Sequence, residues 1–205
     1  MRFSPHHAGQ LVVTFMLFGL AGWSASAAEE IEVTTVRFAN IRASTGVPGT
    51  WVEADITLNV RPAPGTPGVM VSRVKVALLA GFELPALAGG DRRLEHYRAE
   101  AECVALESGR ASVRFYLPPE LVKRDQLHGD PKYWGIEIAV AGRPLPASRA
   151  AYSTTLSNAE QRKNFQAKAG AAAVANDGVM VPQYLTPFIN EYVRTTPSFV
   201  RREVR

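Results

Sequence analysis

The sequence predicts a mainly β protein, an antiparallel two-sheet sandwich followed by a helix and an extended tail, and three observations predict it. Residues 51–61 alternate without exception between Val52, Ala54, Ile56, Leu58, Val60 and Trp51, Glu53, Asp55, Thr57, Asn59, Arg61. That period of two buries one face of a strand and wets the other. Comparable runs recur roughly seven times before residue 156, with turn-forming residues about every 8 to 12 positions, which is the spacing of a sandwich. A composition of 46% hydrophobic and 20% charged residues in 205 is that of a globular chain, against coiled-coil, collagen-like or wholly disordered alternatives.

Residues 1–27 read as a signal peptide. Arg2 precedes an apolar run at 11–21, and Ala25-Ser26-Ala27 forms a small-residue cleavage site. The run is shorter than the roughly twenty residues that cross a bilayer, and the single cysteine, Cys103, is far from the cleavage point. No stable membrane anchor is expected once the leader is removed after Ala27. The mature chain is expected to be exported, periplasmic or extracellular.

The sandwich domain is expected over 28–156. Residues 31–41 carry Val33, Val36, Phe38 and Ile41, whose parity shifts near Thr34-Thr35 and suggests a bulge. Turn residues at 44–49 and a proline-rich connection at 61–68 bound the strand at 51–61. A third strand at 69–79 places Met70, Val74, Val76 and Leu78 on one side and Arg73 and Lys75 on the other; 81–91 reads as an irregular crossover. Residues 94–106 fit a strand (Tyr97, Ala99, Ala101, Cys103) or a helical stripe (Leu94, Tyr97, Ala101, Val104). Strand is preferred because Glu107-Ser108-Gly109-Arg110 is hairpin-turn chemistry and Val113, Phe115 and Leu117 alternate after it. Pro119 and Glu120 suit the first turn of a short helix. Residues 134–140 form a further strand, turned back by 141–144 toward 150–156.

Beyond 156 the material changes. Ser157 and Glu160 match a capping box, opening a helix over 157–178 that is rich in alanine, has Phe165 as its one large apolar side chain, and stops at Asn176-Asp177-Gly178. The tail, 179–205, is punctuated by Pro182, Pro187 and Pro197 and carries Tyr184, Leu185, Phe188, Ile189, Tyr192 and Phe199. Such density of large apolar residues is foreign to disordered tails. They need a surface, either the chain's own sandwich or a partner, and are the candidate partner-binding residues.

The layout is immunoglobulin-like, without the paired cysteines of antibody domains. With its leader, cysteine-poor sandwich and helical C-terminal extension, the chain resembles the immunoglobulin-like exported proteins that accompany bacterial type IV pilus-type assemblies. The resemblance is one of architecture, so no site residue is carried over. It implies a non-enzymatic part in protein–protein assembly of the cell envelope or a pilus-type system.

Charge and chemistry narrow the partners. Residues 28–156 hold 15 acidic and 15 basic residues, and 157–205 hold 4 acidic and 7 basic. A neutral, exported body is not that of a nucleic-acid binder, so the expected partner is another envelope or extracellular protein, or a second copy of the chain. One cysteine and four histidines offer no Cys/His zinc site, and no phosphate loop or Gly-x-Ser-x-Gly elbow is present. Only His96 and His128 could serve a triad. Glu53/Asp55 and Glu100/Glu102 are carboxylates two apart, a spacing common on solvated strand faces. No catalytic residue, cofactor or metal is assigned. Two alternatives stay open: a carbohydrate-binding module stacking sugars on Trp51 and Tyr133, and a hydrolase whose site the sequence does not reveal. For Trp51, which has the parity of a polar face, packing beneath the tail is preferred to stacking on sugars, because it also gives the apolar tail a landing site.

Overall fold

The computed structural model describes residues 30–44, 48–63, 70–86 and 92–201. The leader at 1–27, parts of the expected connections (45–47, 64–69, 87–91) and the last residues, 202–205, lie outside them.

Among the described residues, eight strands form two four-stranded antiparallel sheets. The strands are β1 (Glu30–Arg42), β2 (Thr50–Arg61), β3 (Met70–Leu84), β4 (Arg93–Glu107), β5 (Gly109–Leu117), β6 (Tyr133–Val140), β7 (Arg143–Pro144) and β8 (Val181–Pro182). One sheet runs β1-β2-β5-β8 and the other β4-β3-β6-β7. The alternating set on β2 faces inward against Val74, Val76 and Leu78 of β3, with Phe115 and Tyr97 filling the space between. The chain is a mainly β sandwich with a C-terminal helix, and the region read as strand or helix is strand β4.

Several expectations are corrected in detail. β3 continues through Leu84 instead of ending at 79, because Gly81 pairs with both His96 and Tyr133 and Phe82 and Leu84 are buried. Met70, expected on the same side as Val74, Val76 and Leu78, is exposed. Arg73 adopts a left-handed conformation, φ 55°, while β3 and β4 keep one register on either side of it, Ser72↔Ala105 and Val74↔Cys103. The backbone twist at Arg73 shifts the parity so that Val71, and Leu106 opposite it, face the core. The bulge expected in β1 lies between Val33 and Thr35. The turn at 107–110 does not make a hairpin: β4 pairs with β3 and β5 with β2, so it carries the chain from one sheet to the other. The true two-residue hairpin joins β6 to β7, with Ala141 and Gly142 both at positive φ. Residues 150–156 supply a 3₁₀ turn (Arg149–Ala151) and a single bridge, Tyr152 to Gly135, instead of a strand.

Among the described residues, two α-helices accompany the sheets. The first, α1 (Pro119–Arg124), starts on Pro119 as expected. The second, α2 (Ala159–Ala172), is capped one residue later than expected: Asn158 accepts from the Gln161 amide at 2.8 Å and the Gln161 side chain reaches back, so the box is Asn158/Gln161. Ser157 joins it by donating its hydroxyl to Gln161 Oε1. The helix lies on the outer face of the β4-β3-β6-β7 sheet, burying Phe165, Ala169 and Ala173. Asn176 pins its end by donating to the His96 carbonyl at 2.9 Å. Close approach depends on Gly135, where a Cβ would stand 3.2 Å from the Tyr152 ring and 3.6 Å from Phe165. Gly135→Val is therefore expected to cost about 1–3 kcal/mol by overpacking, measured as a lowered urea midpoint with an unchanged slope. A variant as stable as the parent would mean that the helix is not seated on this strand.

Candidate functional site

The parity that buries Ile56 and Leu58 places Trp51, Glu53 and Asp55 on the outer face of β2. Antiparallel register sets Tyr116 and Arg114 of β5 opposite Glu53 and Asp55. Two aromatics, two carboxylates and a guanidinium thus form one patch. The tail covers it.

That strap begins at β8, which pairs with Phe115 and Tyr116 on the free edge of β5. Two 3₁₀ turns follow, Gln183–Leu185 and Pro187–Asn190. Thr186 joins them by donating to the Gln183 carbonyl at 2.7 Å and accepting from the Phe188 amide. These turns drive Phe188 into full burial, stacked on Tyr116 at 4.6 Å between centroids and edge-on to Trp51 at 5.6 Å. Gln183, also fully buried, donates to the carbonyls of Phe188 and Glu191 at 2.9 Å each and accepts from the Thr196 hydroxyl. Every polar group of that amide is matched, as burial demands.

The charged half of the patch is arranged around Arg114. It donates to Asp55 Oδ2 at 3.0 Å and to Thr196 at 3.3 Å, and its guanidinium lies 4.1 Å from the centroid of the Tyr192 ring. Tyr192 holds this position in a left-handed conformation, φ 59°, uncommon for an aromatic residue. The Tyr116 hydroxyl donates to Glu53 Oε2 at 2.7 Å. Burial raises the Glu53 carboxyl above its ordinary range, against the opposing pull of the Tyr116 hydrogen bond and Arg114, and neighbouring Asp55 and Glu191 raise it further. The Tyr116 hydroxyl is raised in turn by burial and by Glu53. Among the described residues, Trp51 Nε1, Asp55 Oδ1 and Arg114 Nε are buried without a hydrogen-bond partner.

Past Tyr192 the strap crosses between the sheets. The Ser112 amide donates to the Thr195 carbonyl, the Val104 amide to the Ser198 carbonyl, and the Val200 amide to the Glu102 carbonyl, at 3.0, 2.8 and 2.7 Å. Phe199 lies opposite Cys103 on β4 and leans on Tyr184, centroids 5.2 Å apart. One segment thereby closes the free edges of β5 and β4.

The six tail residues singled out from sequence thus divide. Phe188 is an internal anchor; Tyr184 and Phe199 are half-buried against each other; Leu185, Ile189 and Tyr192 are exposed. Trp51 is buried under the strap, so its ring meets Phe188 and Tyr116 instead of solvent. Tyr133 is half-buried beside Phe165, 6.0 Å between centroids, on the outer face of the other sheet. The structure does not bring Trp51 and Tyr133 together, and they cannot share one sugar platform. His96 is half-buried beside α2, 6.2 Å from the Phe165 ring, and burial lowers its pKa. His128 is exposed. Glu100 and Glu102 are engaged by Lys75, Arg98 and Arg73. Burial pushes the Cys103 thiol up to about 12, which suits an apolar filler. Among the described residues no group of His, Cys, Asp or Glu is placed to hold a metal, and no helix is long and apolar enough to cross a membrane. Sequence reading missed Arg114, Tyr116 and Gln183.

No protein-family model and no curated protein matches this sequence. The fold is similar to that of a protein from Akkermansia muciniphila whose crystal structure is known, with a TM-score of 0.63 and 15% identity, covering 85% of this chain and 96% of that one. At that identity the likeness concerns the fold alone.

Proposed function

We propose that this chain is a non-enzymatic exported sandwich that acts by protein–protein assembly in the cell envelope or a pilus-type system, with the outer side of its strap as the contact surface. One observation carries the reading. The inner side of the strap is consumed by Phe188 and Gln183, yet its outer side presents Leu185, Ile189 and Val193, 56%, 40% and 75% exposed. Val193 shares a groove with exposed Met70 and Val104, and Ile189 lines an adjoining one beside Tyr184 and Phe199. Both grooves include Thr196, Pro197 and Ser198. Apolar side chains displayed together on a segment that is itself well fixed mark a protein contact.

A photo-crosslinking residue at Ile189, expressed in the native host, is expected to yield a discrete adduct in the envelope fraction, with none from the same residue at exposed Lys163 on α2. The processed protein is expected to begin at Ala28. Equal labelling at both positions, or an unprocessed chain in the cytoplasm, would overturn the reading.

A further inference from the structure

Each sheet has edges that must be managed, since unpaired backbone groups on an edge strand invite another strand. Three of the long strands facing outward are covered. The strap takes the edges of β4 and β5. The edge of β6 is taken by β7, by the Leu145 amide donating to the Ile138 carbonyl at 2.8 Å, and by the Ser153 amide donating to the Trp134 carbonyl at 3.0 Å. The exception is β1. Its first residues lie against the 3₁₀ turn Arg149–Ala151, with the Ser148 hydroxyl donating to the Val33 carbonyl at 3.4 Å. Beyond that point, among the described residues, none pairs with its outer edge up to Arg42.

The side chains there tell the same story. Val36 and Phe38 point inward, opposite Ile56 and Ala54 of β2, yet remain half-buried where their β2 neighbours are buried. The Phe38 ring rests on half-buried Trp134, 6.2 Å between centroids. The sandwich therefore lacks one wall along β1.

We propose that this wall is supplied by β1 of a second copy, pairing antiparallel about a two-fold axis at Phe38 and continuing one sheet into the other. The strand's own sequence argues for itself as occupant. A two-fold at Phe38 uses the open stretch symmetrically: Phe38 meets Phe38, Val36 meets Asn40, and Thr35 meets Ile41. Inward residues meet inward residues, as register requires. Arg37, the exposed charge in the middle of the stretch, falls opposite small, exposed Ala39. A shift of the axis to Arg37 would oppose two guanidiniums, which destabilises a pair. Charge disfavours that axis, and the axis at Phe38 is the one that sets the two half-buried Phe38 rings against each other. This interface lies apart from the strap and does not rest on the function proposed for it.

The test uses the mature chain in analytical ultracentrifugation. A dimer is expected, weakened about tenfold by Ala39→Arg, which sets two arginines opposite each other, and tightened by Ala39→Glu, which faces Arg37. In oxidising conditions Phe38→Cys is expected to cross-link across the axis, since opposite Cβ atoms are about 4.5–5.5 Å apart. Arg42→Cys, which faces Thr34, is not. Native Cys103 is buried and does not compete. A chain that stays monomeric at high micromolar concentration overturns the proposal, as does a dimer indifferent to charge at Ala39 or cross-linked equally well from position 42.

Discussion

Replacing Phe188 by alanine is expected to destabilise the protein by about 3–5 kcal/mol, the range for removing a fully buried aromatic side chain. Phe188 is stacked on Tyr116 and edge-on to Trp51, and these three form a small apolar cluster separate from the main core. Deleting one ring leaves a cavity bounded by the other two, and the polypeptide that would have to collapse into it is held by β8 on one side and Gln183 on the other. Relaxation should be slight and the cost near the upper part of the range. Two readouts check it. Urea unfolding gives the magnitude, and tryptophan emission should shift to the red as Trp51 gains water. A loss below about 1 kcal/mol with unchanged emission would mean that the strap is held without this ring. Because the strap also closes the edges of β4 and β5, a loosened variant should expose backbone there and aggregate on warming.

Much of this architecture is legible in the residues, and the illegible parts share a cause. Trp51 stood among Glu53 and Asp55 on a face that its strand parity marked as wet, and the tail carried large apolar residues in need of a landing site. Those two facts together place the indole under the strap. What parity could not supply was which strand lies beside β2. Tyr116 and Arg114 become partners of Glu53 and Asp55 only through register with β5, some sixty residues away. The same limit explains the turn at 107–110: its residues dictate a reversal, not which edge receives the returning strand. Backbone irregularity hides in another way. Nothing about Arg73 announces a positive φ, and so Met70 and Val71 exchange faces without warning. At the start of α2 two overlapping frames, Ser157/Glu160 and Asn158/Gln161, satisfy the same capping pattern. The structure uses the second and recruits Ser157 to it.

Arg114→Met is expected to cost about 3 kcal/mol near neutral pH, and that cost should shrink as the pH falls. Methionine preserves the aliphatic bulk, so packing is largely kept. The counter-charge of Asp55 and Glu53 and the cation over Tyr192 are not. The Arg114 side chain is only 6% exposed, and breaking a buried pair by removing one partner leaves the other charge stranded. Glu53 sets the sign of the pH dependence. Its carboxyl is raised by burial, so the folded state holds that proton more tightly than the unfolded chain does. A raised acid contributes stability that is fully present below its unfolded value and is lost as the pH climbs through its folded one. Without Arg114 the shift grows, so protonation relieves the variant more than the parent. Asp125 works the other way: Arg124 and Tyr97 hold its carboxyl low, and its contribution disappears on acidification. It is common to both proteins and cancels in their difference. Urea midpoints followed from neutral pH down into the acid range should therefore show a gap that narrows as Glu53 takes up its proton. A gap of constant size would assign Arg114's effect to its contacts with Asp55, Tyr192, Thr195 and Thr196, with Glu53 contributing nothing to it.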